Sequence, residues 1–213
     1  SVVMQIGSKF VYSKVDGGYR TEDVKRALQM LSDAGIVKVV QHSAGNGLPL
    51  GAEINCKYKK YNYLDSGLLL RVLDLELGSA QPLTEMILIG AAEELVNKGK
   101  VTEMVAGWEI LKSLSPRTSH DLYYWENTSE GATSEVDYLI SRDMIVIPVE
   151  VKAGVTGKMK SLRLFMRRKH LLLGKRCSLE DFGVIEFTDS SDDVHPEILK
   201  RIQIHPLYCL STL

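Results

Sequence analysis

The stretch from Glu135 to Lys152 constrains the fold of this chain more than any other segment. Two runs rich in apolar and β-branched residues, 136–140 and 144–149, flank the short polar connection Ser141-Arg142-Asp143. Such runs around a polar turn are typical of a β-hairpin with largely buried strands. The segment therefore predicts a central hairpin, around which the rest of the chain has to pack.

Charged side chains within this hairpin need a specific compensation. Asp137 lies in the first strand, and Glu150 and Lys152 end the second, two residues apart on one face. Burying carboxylates side by side is unfavourable without a cation or a partner. Because Mg²⁺ and Mn²⁺ prefer carboxylate oxygens, Asp137 and Glu150 predict a divalent metal site, with Lys152 placed to orient a water or offset transition-state charge. The alternative is an edge hairpin with a Glu–Lys salt bridge facing solvent.

The same residues resemble the bipartite motif of the PD-(D/E)XK nuclease superfamily, in which Asp137 is followed by Glu150-Val151-Lys152. The surrounding sequence is similar to one branch of it, the DUF4143 domain. The segments that carry this likeness are 122–125, 135–140, 147–154 and 160–163, with further likeness at 35–37 and 48–53. The resemblance therefore extends over nearly the whole chain.

The resemblance implies a third acid, carried by a helix. It aligns the segment 107–111 with that element, so the role goes to Glu109 in preference to Glu103, Glu93 or Glu94. The implied catalytic set is Glu109, Asp137, Glu150 and Lys152, with Mg²⁺ or Mn²⁺ held by the three acids. A solvated helix glutamate remains the alternative for Glu109.

DUF4143 domains typically form the C-terminal part of bacterial and archaeal AAA-type ATPases. No Gly-x-x-x-x-Gly-Lys-Ser/Thr phosphate-binding loop occurs in this sequence, so there is no ATPase site in it. We expect the ATPase module that the resemblance implies to lie outside these 213 residues.

The N-terminal part predicts a winged-helix-like domain over residues 1–66. A helix from Thr21 to Gly35 precedes a short strand, a glycine-rich loop at 43–47 and an extended stretch towards Tyr63. A winged helix usually binds DNA, with basic residues on its wing. The candidate contacts there are Lys57, Lys59 and Lys60. The alternative is a packing module that joins other parts of the protein.

Residues 67–213 predict a second domain with a restriction-endonuclease-like αβββαβ core and a mixed central sheet, in the α/β (α+β) class. Predicted helices cover 68–77, 84–97, 101–114 and 159–170, and predicted strands cover 122–125, the hairpin, 182–187 and the C-terminal edge 202–210. Lys160, Arg163 and Arg167 share one face of the last helix, as further nucleic-acid contacts or as a simply solvated face.

The composition of the chain restricts the kinds of function that it can have. The chain has 45% hydrophobic residues and a net charge of −1, so binding to nucleic acid has to rest on local basic patches. No apolar run reaches the length of a membrane span, and the first residues lack signal-peptide features, so we expect a cytoplasmic protein without a membrane partner. The three cysteines are far apart, which favours reduced thiols.

Two functional hypotheses follow. The first is the C-terminal region of an AAA-type ATPase-family protein, with a Mg²⁺- or Mn²⁺-dependent nuclease-like domain acting on DNA. The second is a non-catalytic module of nuclease-like fold that binds or regulates an ATPase, with the charged residues forming a salt-bridged cluster.

Overall fold

The computed structural model describes residues 5, 7–15, 17–72, 98–115, 117, 120–127, 129 and 134–212. The helices are α1 (Thr21–Asp33), α2 (Ser66–Val72), α3 (Lys98–Ser113) and α4 (Lys160–Arg168). The strands are β1 (Val37–Ser43), β2 (Ile54–Tyr63), β3 (Leu122–Glu126), β4 (Glu135–Arg142), β5 (Ile145–Val151), β6 (Leu173–Ser178), β7 (Gly183–Phe187) and β8 (Lys200–Pro206). Of the predicted helices, 84–97 and most of 68–77 lie outside the described residues.

In the described part of the chain the strands form one eight-stranded sheet in the order β2-β1-β3-β4-β5-β6-β8-β7. Three neighbouring pairs are parallel, β1–β3, β5–β6 and β6–β8, and the other four are antiparallel. The predicted mixed α/β class is therefore confirmed. From α3 onward the elements follow in the order α3, β3, β4, β5, α4, β6.

The hairpin predicted from 135–152 is confirmed as β4 and β5, at the centre of the sheet. Tyr138 pairs with Val149, and the buried run of β5 extends from Val146 to Val151. The turn lies slightly later than predicted, because Asp143 and Met144 take the positive φ values of 51° and 62° that a tight hairpin turn requires.

The N-terminal strands extend the same sheet as the C-terminal ones, because β1 pairs in parallel with β3. The glycine-rich loop after β1 is packed: a Cβ on Gly45, whose φ is +65°, would lie 2.8 Å from the ring of Phe165. Lys169, just after α4, donates a hydrogen bond to Asn46. A wing that projects from the body to reach DNA is thus not seen, and the winged-helix assignment is not confirmed. The domain division at 66/67 stays a prediction.

Buried side chains cover both faces of the sheet. α1 packs Val24 and Leu28 onto the N-terminal strands, and α4 buries Leu162, Phe165 and Met166 against the middle of the sheet. The predicted edge strand over 202–210 is wrong, because β8 runs between β6 and β7 and the short β7 forms the edge. Within the described residues, no helix combines the length and apolar character of a membrane span.

Candidate metal site

A β-bulge in β4 directs two consecutive side chains towards α3. Tyr123 of β3 pairs with Leu139 and Trp125 pairs with Val136, so Asp137 and Tyr138 both lie opposite one residue, Tyr124. Bulges re-aim side chains and occur frequently beside active sites. Here the bulge allows both Asp137 and Tyr138 to reach Glu103 on α3.

Helix α3 lies unusually close to the sheet at this point. A Cβ on Gly107 would stand 2.5 Å from the Tyr138 hydroxyl oxygen and 2.8 Å from Nδ2 of Asn62, so glycine is needed for this approach. The Tyr138 hydroxyl donates to the Glu103 carbonyl at 2.7 Å and accepts from Nδ2 of Asn62 at 2.9 Å. These contacts hold the helix turn that carries Glu103 against β4.

Three carboxylates meet between α3 and β4. Glu103, Glu135 and Asp137 each offer a carboxylate oxygen, and these oxygens all lie within 4.8 Å of one another. Oδ2 of Asp137 also accepts a hydrogen bond of 2.7 Å from the backbone N–H of Val151. This hydrogen bond fixes the position of the Asp137 carboxylate relative to β5, the strand that carries Glu150.

Glu150 adds a fourth acid beside this group. The β4–β5 register puts Asp137 opposite Glu150, and Glu150 is only 5% exposed. Its Oε1 accepts from Nζ of Lys152 at 2.5 Å, while its buried Oε2 has no hydrogen-bond partner among the described residues. A buried carboxylate oxygen without a donor is unfavourable unless a cation compensates its charge.

Lys60 of β2 reaches the same acids from the other side. Its Nζ lies 2.8 Å from Glu103 and 2.5 Å from Glu135, and it sits over the ring of Tyr124 at 4.8 Å from the centroid. The side chain is 1% exposed. Lys60 therefore compensates part of the negative charge from within the protein.

The loop after β5 supports Lys152. The guanidinium of Arg176, a buried residue on β6, donates to the backbone carbonyls of Val155 and Gly157 at 2.9 and 3.4 Å. Gly157 has a φ of +142°, and a Cβ there would lie 3.1 Å from Cδ of Lys152. The loop thus packs on the aliphatic part of Lys152 and leaves its ammonium group directed at Glu150.

Burial and mutual repulsion make these acids weaker than usual. Burial raises the pKa of Glu103 to about 8, with Lys60 opposing the shift and Asp137 adding to it. Burial likewise raises the pKa of Glu150 to about 7, again with a contribution from Asp137, and it raises the pKa of Asp137 itself. Burial would lower the pKa of Lys60, but the surrounding carboxylates raise it well above its usual value.

The donor set fits a hard divalent cation. Four carboxylates, those of residues 103, 135, 137 and 150, face the two ammonium groups of Lys60 and Lys152, which leaves a net charge of −2 when all are ionised. Carboxylate oxygens without nitrogen or sulfur ligands suit Mg²⁺ or Mn²⁺. Glu150 lies near the three-acid group, since its charge interacts with those of Asp137 and Glu135, and it offers a further carboxylate.

The structure brings together three of the four predicted catalytic residues. Asp137, Glu150 and Lys152 lie together, as the hairpin pattern indicated. Glu109 does not join them: its carboxylate pairs with Lys112 at 2.7 Å. The reason is helical geometry, because residues 103 and 109 point about 120° apart around α3.

Of the predicted nucleic-acid contacts, Lys60 requires a correction. Its ammonium group is buried between Glu103 and Glu135, so it is not available to a phosphate in solvent. The others lie at least partly at the surface: Lys57, Lys59, Lys160, Arg163 and Arg167. Arg163 stacks on the ring of Phe187 at 4.4 Å, and Arg167 pairs with Asp189 at 3.7 Å. Their role in binding stays a prediction.

Sequence patterns did not identify Glu103, Glu135 or Lys60 as members of this cluster. They favoured Glu109 over Glu103 and assigned Lys60 to nucleic-acid contact. Glu103 could have been found from helical spacing, because it shares one side of α3 with Gly107 and Ile110, which face the sheet. Glu135 lies two residues before Asp137 in a strand, and so on the same face. Lys60 gave no local signal, since its partners lie more than forty residues away in the sequence.

Comparison with protein families supports part of the sequence-based expectation. Residues 98–195 match the family model of DUF4143, and residues 1–78 match that of DUF8612; each is described as a domain of unknown function. The N-terminal segments at 35–37 and 48–53 lie within the DUF8612 match, outside the residues that match DUF4143. No curated protein and no solved structure matches the chain. The acids at 103, 135, 137 and 150 and Lys152 thus all lie in the part of the chain that matches the DUF4143 domain family.

Proposed function

We propose that the region matching DUF4143 is a metal-dependent phosphodiester hydrolase that acts on DNA. The observation that carries this proposal is the convergence of the carboxylates of Glu103, Glu135 and Asp137, together with nearby Glu150, whose buried Oε2 has no hydrogen-bond partner in the described part of the chain. The order α3, β3, β4, β5, α4, β6 and the spacing of Asp137 and Glu150-x-Lys152 support a nuclease-like core. The helix-borne acid of the proposed site is Glu103.

In this proposal each side chain has a separate task. Glu103, Glu135, Asp137 and Glu150 would hold the cation, and a bound Mg²⁺ or Mn²⁺ would supply Lewis-acid stabilisation of the phosphate charge. The backbone N–H of Val151 fixes the orientation of the Asp137 carboxylate. The bulge at Asp137 and the close approach at Gly107 keep the strand-borne and helix-borne acids together.

Lys152 is the proposed residue that faces the substrate. Its side chain is 28% exposed, whereas that of Glu150 is 7% exposed, so the ammonium group is the part of the pair that solvent reaches. A fixed ammonium group beside a phosphodiester orients an attacking water and stabilises developing negative charge. The contact with Glu150 and the packing of Gly157 determine where that group lies.

A second candidate function is a non-catalytic binding or regulatory module. The observation that favours it is Lys60, whose ammonium group already lies between Glu103 and Glu135. In that case internal ion pairs balance the acids, and the nuclease-like arrangement serves only as a scaffold. An AAA-type ATPase module as partner and a cytoplasmic setting also remain proposals, based on the sequence resemblance.

The test is a metal titration followed by melting temperature and by cleavage of labelled single- and double-stranded DNA. Metal binding stabilises the folded state by about 2.7 kcal/mol at a hundred times the dissociation constant, so we expect Mg²⁺ or Mn²⁺ to raise the melting temperature of the wild type. Glu103→Gln and Glu150→Gln should remove this rise together with cleavage. Lys152→Ala should remove cleavage but keep the rise.

Glu109→Gln is the matched control, because it neutralises an acid on the same helix that pairs with Lys112 outside the cluster. It should behave like the wild type in both assays. If neither metal changes the melting temperature and no DNA is cut, the hydrolase proposal is wrong and the salt-bridged module is favoured. Stabilisation by metal without cleavage would favour a structural metal site.

A further inference from the structure

A groove of about 810 Å³ lies between α1 and β2, apart from the acidic cluster. Its basic lining residues come from both elements: Lys25 and Arg26 from α1, and Lys57 and Lys59 from β2. Consecutive residues of a strand point to opposite faces of a sheet. Lys59 therefore lines this groove, whereas Lys60 reaches the acids on the other side.

Among the residues that the structure describes, acids do not balance the positive charge of this groove. The acid that lines it, Glu22, is already paired with Lys25 at 2.8 Å. In the part of the chain that the structure describes, the side chains of Arg26, Lys57 and Lys59 make no ion pair and no hydrogen bond. Three cations without a partner among the described residues thus line one open groove, in a protein whose net charge is −1.

The size and chemistry of the groove favour an extended phosphate-bearing ligand. Sites of about 300–1,000 Å³ hold ligands well above the size of a single small anion. Lysine ammonium groups and an arginine guanidinium are the usual partners of backbone phosphates. Polar neutral groups, including Gln29 and Thr21, complete the rim and offer hydrogen bonds to sugar or phosphate oxygens.

We propose that the groove between α1 and β2 is a binding site for the phosphate backbone of a nucleic acid, held by Arg26, Lys57 and Lys59. This site is separate from the proposed metal site and does not depend on it. It assigns Lys57 and Lys59 to a groove with α1, in place of a projecting wing.

Binding of a fluorescently labelled single-stranded oligonucleotide, measured by anisotropy in EDTA, tests the proposal. EDTA excludes metal-dependent cleavage, so the result is independent of the proposed hydrolysis. Arg26→Ala/Lys57→Ala/Lys59→Ala should weaken binding about tenfold or more and reduce the slope of log affinity against log salt by about 2, because three phosphate contacts are lost. The charge-preserving Arg26→Lys/Lys57→Arg/Lys59→Arg should retain most of the affinity.

The matched control is Arg117→Ala/Lys158→Ala/Arg168→Ala, which removes the same charge from exposed positions outside the groove. It should weaken binding much less. Equal weakening by the two triple variants, or no binding by the wild type, would overturn the proposal. If a polyglutamate peptide competes as effectively as the unlabelled oligonucleotide, the groove is a general polyanion surface and the proposal is wrong. If inorganic phosphate competes as effectively as the oligonucleotide at equal phosphate concentration, the groove is a small-anion site and the proposal is wrong.

Discussion

In this protein the surroundings of a glutamate, more than its side-chain chemistry, determine its pKa and whether it is a candidate metal ligand. Glu150 and Glu109 are both glutamates near a lysine, yet Glu150 is buried beside Asp137 and has a pKa raised to about 7. Glu109 lies on the outer side of α3 with Lys112. Burial among like charges, and not the Glu–Lys pairing, is what distinguishes a candidate ligand from an ordinary surface acid.

Gly157 provides a test of how Lys152 is positioned. Gly157→Ala places a methyl group 3.1 Å from Cδ of Lys152 at a φ of +142°, so the loop or the lysine has to move. We expect cleavage of DNA to fall about tenfold or more, since small displacements of a positioning group are costly. Gly154→Ala is the control, because nothing lies within 4 Å of its added Cβ. Equal activity of the two variants would contradict the positioning role.

Asp192 makes the fold sensitive to acid. Asp192 is 1% exposed. Burial alone would raise the pKa of its carboxyl group, but the ion pair with Lys200 at 2.9 Å and hydrogen bonds from the N–H groups of His195 and Val194 hold that pKa below its ordinary value of 3.8. A depressed carboxyl pKa contributes stability above the unfolded-state pKa, and this contribution is lost as the pH falls.

We therefore expect the melting temperature of the wild type to fall steeply below about pH 4. Asp192→Asn/Lys200→Met removes both charges of the buried pair, and its melting temperature should depend less on pH over the same range. Asp192→Asn alone should be less stable than the double variant near neutral pH, because it leaves Lys200 buried without its partner. Parallel pH profiles of the wild type and the double variant would exclude this explanation.

At the scale of elements, close packing of α3 on the sheet decides the geometry of the acidic cluster. The helix carries Glu103 on the side that also carries Gly107 and Ile110. The β-bulge in β4 is also required, since it directs the side chains of both Asp137 and Tyr138 towards α3. Neither element would bring a carboxylate to this point without the other.

Substitution of Gly107 tests this packing. Gly107→Ala introduces a Cβ 2.5 Å from the Tyr138 hydroxyl oxygen, and overpacking of this kind costs about 1–3 kcal/mol. We expect the melting temperature to fall by about 2–4 °C for each kcal/mol lost. Gly99→Ala in the same helix meets nothing within 4 Å and should raise stability by up to about 1 kcal/mol. A stable Gly107→Ala variant would contradict the close approach.

For the whole molecule, the parallel pairing of β1 with β3 joins the N-terminal and C-terminal parts into one sheet. The loop around Gly45 also packs on Phe165 of α4. These contacts cross the boundary between the two segments that match different family models, 1–78 and 98–195. Such a sheet is expected to unfold cooperatively.

Calorimetry of two core variants tests this cooperativity. Leu28→Ala, in the N-terminal core, should cost about 2–5 kcal/mol, and Phe165→Ala, under α4, about 3–5 kcal/mol. We expect each variant to lower the temperature of one shared unfolding transition. Two transitions, of which each variant shifts only one, would instead support independent domains with a boundary near residue 66.

Local patterns in the sequence were sufficient to predict the central hairpin, the helix over 101–114 and the proximity of Asp137, Glu150 and Lys152. Strand alternation and helical periodicity are local properties, and the spacing of Glu150 and Lys152 directly sets their shared face. Only the tertiary structure decided that Glu103 faces Asp137, that Lys60 is buried among the acids, and that β8 lies inside the sheet. The physical reason is that these outcomes depend on contacts between distant segments, whose packing and charge compensation are not encoded in any single local pattern.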